Sequence, residues 1–182
     1  MKKLRKRGFM QFVLLLSALL LYGLESKAQK ATTLTDPEIA SVAVTANQID
    51  IDYANLALVK SKNTEVINFA HTMANDHKAI IDQAVALVTK LGVTPKTNDL
   101  TKSLLAGEKA TLKKLKAKKG VAFDKAYISN EVLYHKAVIN AVETVLIPQA
   151  QNASLKALLV KVVPALKEHL AHAEMLNKSI NK

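Results

Sequence analysis

Residues 63–91 read NTEVINFAHTMANDHKAIIDQAVALVTKL. Within that stretch, positions 66, 70, 73, 77, 80, 84, 87 and 91 are Val, Ala, Met, His, Ile, Ala, Leu and Leu. Steps alternating between three and four residues place all eight on one stripe of an α-helix. Asn63 is a good N-cap for that helix, and Gly92 followed by Pro95 ends it. One histidine, His77, interrupts an otherwise apolar seam near its middle.

The same pattern recurs on both sides. Upstream, Thr35-Asp36-Pro37-Glu38 joins a capping box to a proline in the first turn, which predicts a helix from there to about Lys60. Its apolar positions form two overlapping stripes, and the second carries Asp50. Downstream, Thr97-Asn98 caps a third segment that ends at Gly120. A fourth runs from about Ala122 to Ile147, because Pro148 disfavours helical geometry in the residue before it. A fifth begins at Asn152 or Ser154, continues nearly to the C-terminus, and should kink near Pro164. The fourth segment lines up Ile128, Val132, His135, Ile139, Val142 and Leu146. The fifth lines up Leu155, Leu159, Val162, Leu166, His169, Ala173, Leu176 and Ile180. No useful stretch has the period of a strand, so the expected class is all-α. Two short-loop hairpins joined by a helical crossover describe a ferritin-like four-helix bundle with one additional helix.

The remaining N-terminal sequence reads as an export signal. Lys2, Lys3, Arg5, Lys6 and Arg7 precede an apolar run over 9–24, followed by Ser26-Lys27-Ala28. A basic start, a short apolar centre and small residues at the cleavage site are the parts of a signal peptide, here cut after Ala28. The run is shorter than the roughly 20 residues a spanning helix needs. The expected organisation is therefore a signal peptide over 1–28 and one helical domain over 29–182, exported to the periplasm or the outer membrane. The whole chain has 182 residues and a formal charge of +11. Without the signal, 20 basic and 14 acidic residues remain (26 less 6, and 15 less 1), a balance of +6. Both arginines leave with it, so every remaining cation is a lysine. Lysine lacks the bidentate fork that reads phosphates and base edges, and export removes the genome; nucleic acid is not an expected partner. The lysines cluster late in the crossover, at Lys109, Lys113, Lys114, Lys116, Lys118, Lys119 and Lys125. They form either a solvated face or a surface attracted to an anionic envelope.

No cysteine is present, which excludes disulfides, thiolate metal sites and thiol nucleophiles together. Histidine and carboxylate are left as the candidate ligands. His77, His135 and His169 lie 14, 13 and 15 residues into their helices, counted from 63, 122 and 154. At 1.5 Å per residue that is about 20 Å in each case, so all three fall within roughly one turn of a common level. Asp50, 13 residues before Asn63, reaches the same level. The spacing permits these four side chains to converge inside the bundle.

Phe69-Ala70, Met73 and Asp76-His77 resemble the "FA..M..DH" pattern of the bacterial family called domain of unknown function 4142. The similarity continues through Phe123-Asp124, Tyr127, His135, Pro164, Leu166 and His169-Leu170. The resemblance implies an exported ferritin-like bundle, often described as an outer-membrane protein, with no defined biochemical activity. The family's acidic position in the first helix is usually glutamate; here it is Asp50.

Neutral imidazoles suit zinc, copper or iron, and three of them with a carboxylate complete a mononuclear site. His77, His135, His169 and Asp50 are the candidate ligands for a single transition-metal ion. Asp76, Glu131 and Glu168 are the candidate acceptors for the outer imidazole nitrogens. The usual di-iron arrangement needs Glu-x-x-His, which this chain lacks; its nearest approach is Glu131 to His135, four residues apart. His71 and His172 are placed on the solvent side, and Tyr53, Tyr127 and Tyr134 fill core space with a polar tip. No phosphate-cradling loop, nucleophile elbow or His-Glu-x-x-His motif occurs, so no catalytic residue is assigned. Three readings stay open: a metal-binding bundle, an envelope interaction protein whose histidines only organise its core, and a metal-dependent enzyme.

Overall fold

The computed structural model describes residues 33–182, and the signal peptide expected over 1–28 lies outside the described residues. The chain is all-helical there, with α1 over Asp36–Lys60, α2 over Thr64–Lys90, α3 over Asp99–Lys116 and α4 over Gly120–Ala141. A π-helical turn, Val142–Leu146, leads into the short α5, Ile147–Gln149, and α6 spans Ala153–Ile180. No strand occurs among the described residues, and no helix there is long and apolar enough to cross a membrane.

The caps act as the residue types require. Thr35 and Glu38 form the capping box of α1. The Asn63 side chain accepts from the backbone N–H groups of Glu65 and Val66, and Asn152 does the same for Ser154 and Leu155. At the end of α2, Gly92 has a φ of +64°, while its N–H bonds the Thr89 carbonyl and that of Val93 bonds Val88. That is a Schellman ending, which relies on glycine for the left-handed residue.

Two boundaries differ from the sequence expectation. The crossover helix stops at Lys116 rather than Gly120, because Gly120, with φ at +52°, turns the chain and opens α4. The fourth helix does not stop before Pro148. Ile147 keeps helical geometry and donates to the Val142 carbonyl five residues back. Proline has no N–H and its ring crowds the carbonyl four residues earlier, and the wider π turn accommodates both. α6 runs through Pro164 as one helix.

Packing follows from the loops. The three-residue break at 61–63 makes α1 and α2 an antiparallel pair, and α4 packs chiefly on α6. Crossover α3 lies along α1 in the same direction. Near its start, the Asn98 amide donates to the Glu38 carbonyl, and the Ser41 and Thr101 hydroxyls are 3.4 Å apart. At its far end, Lys60 donates to the Lys116 carbonyl. α1 is thus covered on several sides, and both of its stripes are buried, Asp50 included.

Two apolar clusters fill the interior. One gathers Phe69, Met73, Phe123, Tyr127 and Ile128 near the α1–α2 turn. The other gathers Ile39, Val42, Leu146, Leu155 and Leu159 at the opposite end. That second end is tied by Asp36, whose two carboxylate oxygens accept from the N–H groups of Gln151 and Asn152 at 2.9 Å each. Replacing Asp36 with alanine leaves both donors without their partner and should destabilise the protein by about 1–3 kcal/mol in urea unfolding. An unchanged midpoint would remove this clamp from the account.

Candidate metal centre

Between the two apolar clusters, one side chain from each of four helices meets at a single level. Asp50 comes from α1, His77 from α2, His135 from α4 and His169 from α6, and all four are buried. The ring centroids are 5.6 Å apart for His77–His135, 5.2 Å for His77–His169 and 5.6 Å for His135–His169. One ring nitrogen of each imidazole lies within 4.8 Å of the other two. Oδ2 of Asp50 is 3.5 Å from Nε2 of His77 and 3.6 Å from Nε2 of His135.

The outer nitrogens fix the tautomers. Nδ1 of His77 donates to Oδ1 of Asn47 at 2.7 Å. The Asn47 amide is oriented by its own Nδ2, which donates to the Ala43 carbonyl, so its oxygen faces the ring. Nδ1 of His135 donates to the backbone carbonyl of Glu131 at 3.0 Å, and Nε2 of His169 donates to Oδ2 of Asp76 at 3.0 Å. Each ring therefore carries its proton on the outside. The inward atoms, Nε2 of His77, Nε2 of His135 and Nδ1 of His169, are bare lone pairs without a hydrogen-bond partner. Both Asp50 oxygens are likewise unpartnered. A void of about 10 Å³, the size of one water or one ion, adjoins Asp50, His77 and His135.

Electrostatics reinforce this arrangement. Burial, helped by the neighbouring rings, holds His77 down to about 2, and burial holds His135 down to about 4. Both are therefore neutral at physiological pH, as ligand imidazoles must be. Burial pushes Asp50 up to about 8, and it pushes Glu131 well above the carboxylate range, with the Asp50 charge adding to the effect. Two buried carboxyls with no nearby cation hold their protons. One oxygen of each, together with a nitrogen of His135, fits within 4.8 Å.

Of the three carboxylates considered for the outer nitrogens, Asp76 accepts from His169 across the helix interface. Glu131 is fully buried, and its backbone carbonyl does the accepting; its carboxyl, 3.7 Å from Nδ1 of His135, faces Asp50 instead. Glu168 is a correction, since it lies exposed on α6 and supports no imidazole. An adjacent residue on a helix points about 100° away, which carries Glu168 out to solvent. Asn47 was missed, although it lies one turn before Asp50 on the same face. His71 is exposed, while His172 is half-buried with its ring edge-on to Phe69 at 5.1 Å, rather than on the solvent side. Tyr134 does have a core body and a satisfied tip, its hydroxyl donating to the Ala46 carbonyl at 2.8 Å.

Among known proteins, residues 23–176 match the model of one family, Domain of unknown function (DUF4142). No curated protein and no solved structure matches the chain.

The buried titratable groups give the metal-free protein a characteristic pH response. His77 and His135 stay neutral when folded but take protons when unfolded below about pH 6.5, so their contribution is lost as pH falls. Asp50 and Glu131 keep protons that the unfolded chain releases above about pH 4, so their contribution is lost as pH rises. The two effects offset one another up to about pH 6.5, and only the carboxyls act above it. Thermal unfolding in chelator should show Tm falling from pH 6.5 to 8. Asp50→Asn should remove on the order of 2 kcal/mol of that loss. A flat wild-type profile over this interval would contradict the assignment.

Proposed function

The chain belongs to the DUF4142 family, and we propose that it binds a single divalent transition-metal ion, zinc by preference, at the centre of its helices. The ligands are Nε2 of His77, Nε2 of His135, Nδ1 of His169 and a carboxylate oxygen of Asp50. One observation carries this reading: three imidazole nitrogens and the Asp50 carboxyl converge without a hydrogen-bond partner, and every outer nitrogen is already engaged. Buried acceptors facing one another are costly unless a cation or a proton sits between them. The spacing supports a small ion such as zinc, with one nitrogen of each ring within 4.8 Å of the other two. Bonds of about 2.0–2.1 Å to a tetrahedral ion imply donor separations of about 3.4 Å, close to the 3.5 and 3.6 Å between Asp50 and two of the rings. Asn47, the Glu131 carbonyl and Asp76 then act as the outer hydrogen bonds that orient metal-bound imidazoles. We read the architecture as a ferritin-like four-helix bundle with α3 as the crossover, holding this mononuclear centre in place of a carboxylate di-iron site. The basic start and short apolar run over 1–28 support a location outside the cytoplasm.

A second reading concerns the surface at the α1–α2 turn. Val59 and Val121 are 84% and 67% exposed there, and Lys60, Lys62 and Lys119 border one shallow depression with Val121. Exposed valines among lysines suit an anionic membrane surface, where each lysine contributes about 1 kcal/mol.

Protein recovered from the periplasm should hold about one metal equivalent per chain by elemental analysis. His135→Ala should lose it, whereas Glu168→Ala should retain it. Negligible metal in both the wild type and His135→Ala would dispose of the metal reading. For the surface, co-sedimentation with phosphatidylglycerol vesicles should exceed that with phosphatidylcholine, and high salt should abolish it. Equal partition into both would rule the surface out as an anionic contact.

A further inference from the structure

Alongside the metal centre runs a second space, a cavity of about 280 Å³. It exists because small residues face one another across the bundle: Ala40, Ala43 and Ala46 on α1, Ala84 on α2, Ala137 and Ala141 on α4. Interiors normally close around such residues, and voids of this size are rare. The cavity is long rather than round. It is lined from Leu155 to Leu166 on α6, a rise of about 16 Å along the helix. Among the described residues, no charged one lines it. The two long polar side chains that do, Asn47 and Tyr134, are already engaged with His77, Ala43 and Ala46. A polar ligand would therefore find no free partner along its length.

One end is different. Ala46, Asn47, Tyr134, Val138 and Leu166 line both the cavity and the ion-sized void beside Asp50, His77 and His135. The two spaces adjoin there. Leu100, which also lines the cavity, is partly exposed on α3, so the cavity approaches solvent on that side.

We propose that this cavity takes the alkyl chain of a medium-chain aliphatic monocarboxylate, about ten carbons long, with its carboxylate directed at the metal. The length follows from volume. A cavity of about 150 Å³ accepts benzene, so one of about 280 Å³ holds roughly eleven carbons. The shape selects a chain over a ring system. The acidic head follows from charge and rests on the metal reading above: a divalent ion held by neutral imidazoles and Asp50 keeps one net positive charge. A carboxylate neutralises it, and zinc accepts a fifth donor.

Titration calorimetry on the zinc-loaded full chain tests this with hexanoate, decanoate, hexadecanoate and decanol as probes. Decanoate should bind one to one, at least tenfold tighter than hexanoate, hexadecanoate or decanol. Ala141→Phe should weaken decanoate at least tenfold with zinc content unchanged; Ala84→Leu gives a smaller loss if the larger ring disturbs folding. A chain that binds one zinc but shows no decanoate binding, or no dependence on chain length, overturns the proposal and leaves the metal reading standing. Equal affinity for decanol overturns the acidic head. Failure to take up zinc is read separately, from the metal content, and removes the metal reading together with the carboxylate anchor.

Discussion

Three imidazole N–H groups turned away from the centre govern this molecule. Each has a different kind of acceptor: a side-chain amide, a backbone carbonyl and a half-exposed carboxylate. Together they make the interior of the cluster all lone pair and carboxyl. Such a centre does not hold itself together, since buried unpartnered polar atoms cost about 1–3 kcal/mol each. The apolar clusters on both sides must therefore keep the four helices in place. The site depends on the scaffold more than the scaffold depends on the site.

The scaffold meets that demand through α1. A helix packed only against α2 would bury one stripe and leave Asp50 at its edge. With α3 laid along it in the same direction and α4 packed on it as well, α1 is enclosed, and Asp50 is one of the least exposed of the described residues. The crossover thus does more than carry the chain from one hairpin to the next. It covers the side of α1 that carries Ser41, while α2 and α4 surround the Asp50 carboxyl whose burial raises it.

Much of this was legible beforehand, for specific reasons. The seams of α2, α4 and α6 are regular, and a lone histidine at mid-helix in each one fixed the level of the site by the 1.5 Å rise alone. Asp50 was readable because α1 has two stripes instead of one. The outer shell was much less so. Glu131 and Glu168 looked equivalent, each a carboxylate near a histidine on a helix. Yet one lies four residues away and turns inward, and the other lies next door and turns outward. Asp76 was readable only as one of three candidate acceptors; its hydrogen bond to His169 on another helix is a tertiary fact without local signal. Asn47 had a usable signal, since it lies three residues before Asp50 and shares its face; only its polarity argued against a core position. Nor did the sequence disclose the cavity, because alanines read equally well as tight packing and as space.

The π turn before Pro148 bears on more than the proline. From Val142 to Leu146 to Ala150 the buried positions advance by four residues each time. On an ordinary α-helix such steps would precess by about 40° per turn and swing the buried face off its line. The wider winding absorbs that surplus. It works as a gear change between two stretches of helix, letting the chain carry extra length past the end of the cavity while the face begun at His135 continues inward to meet α6.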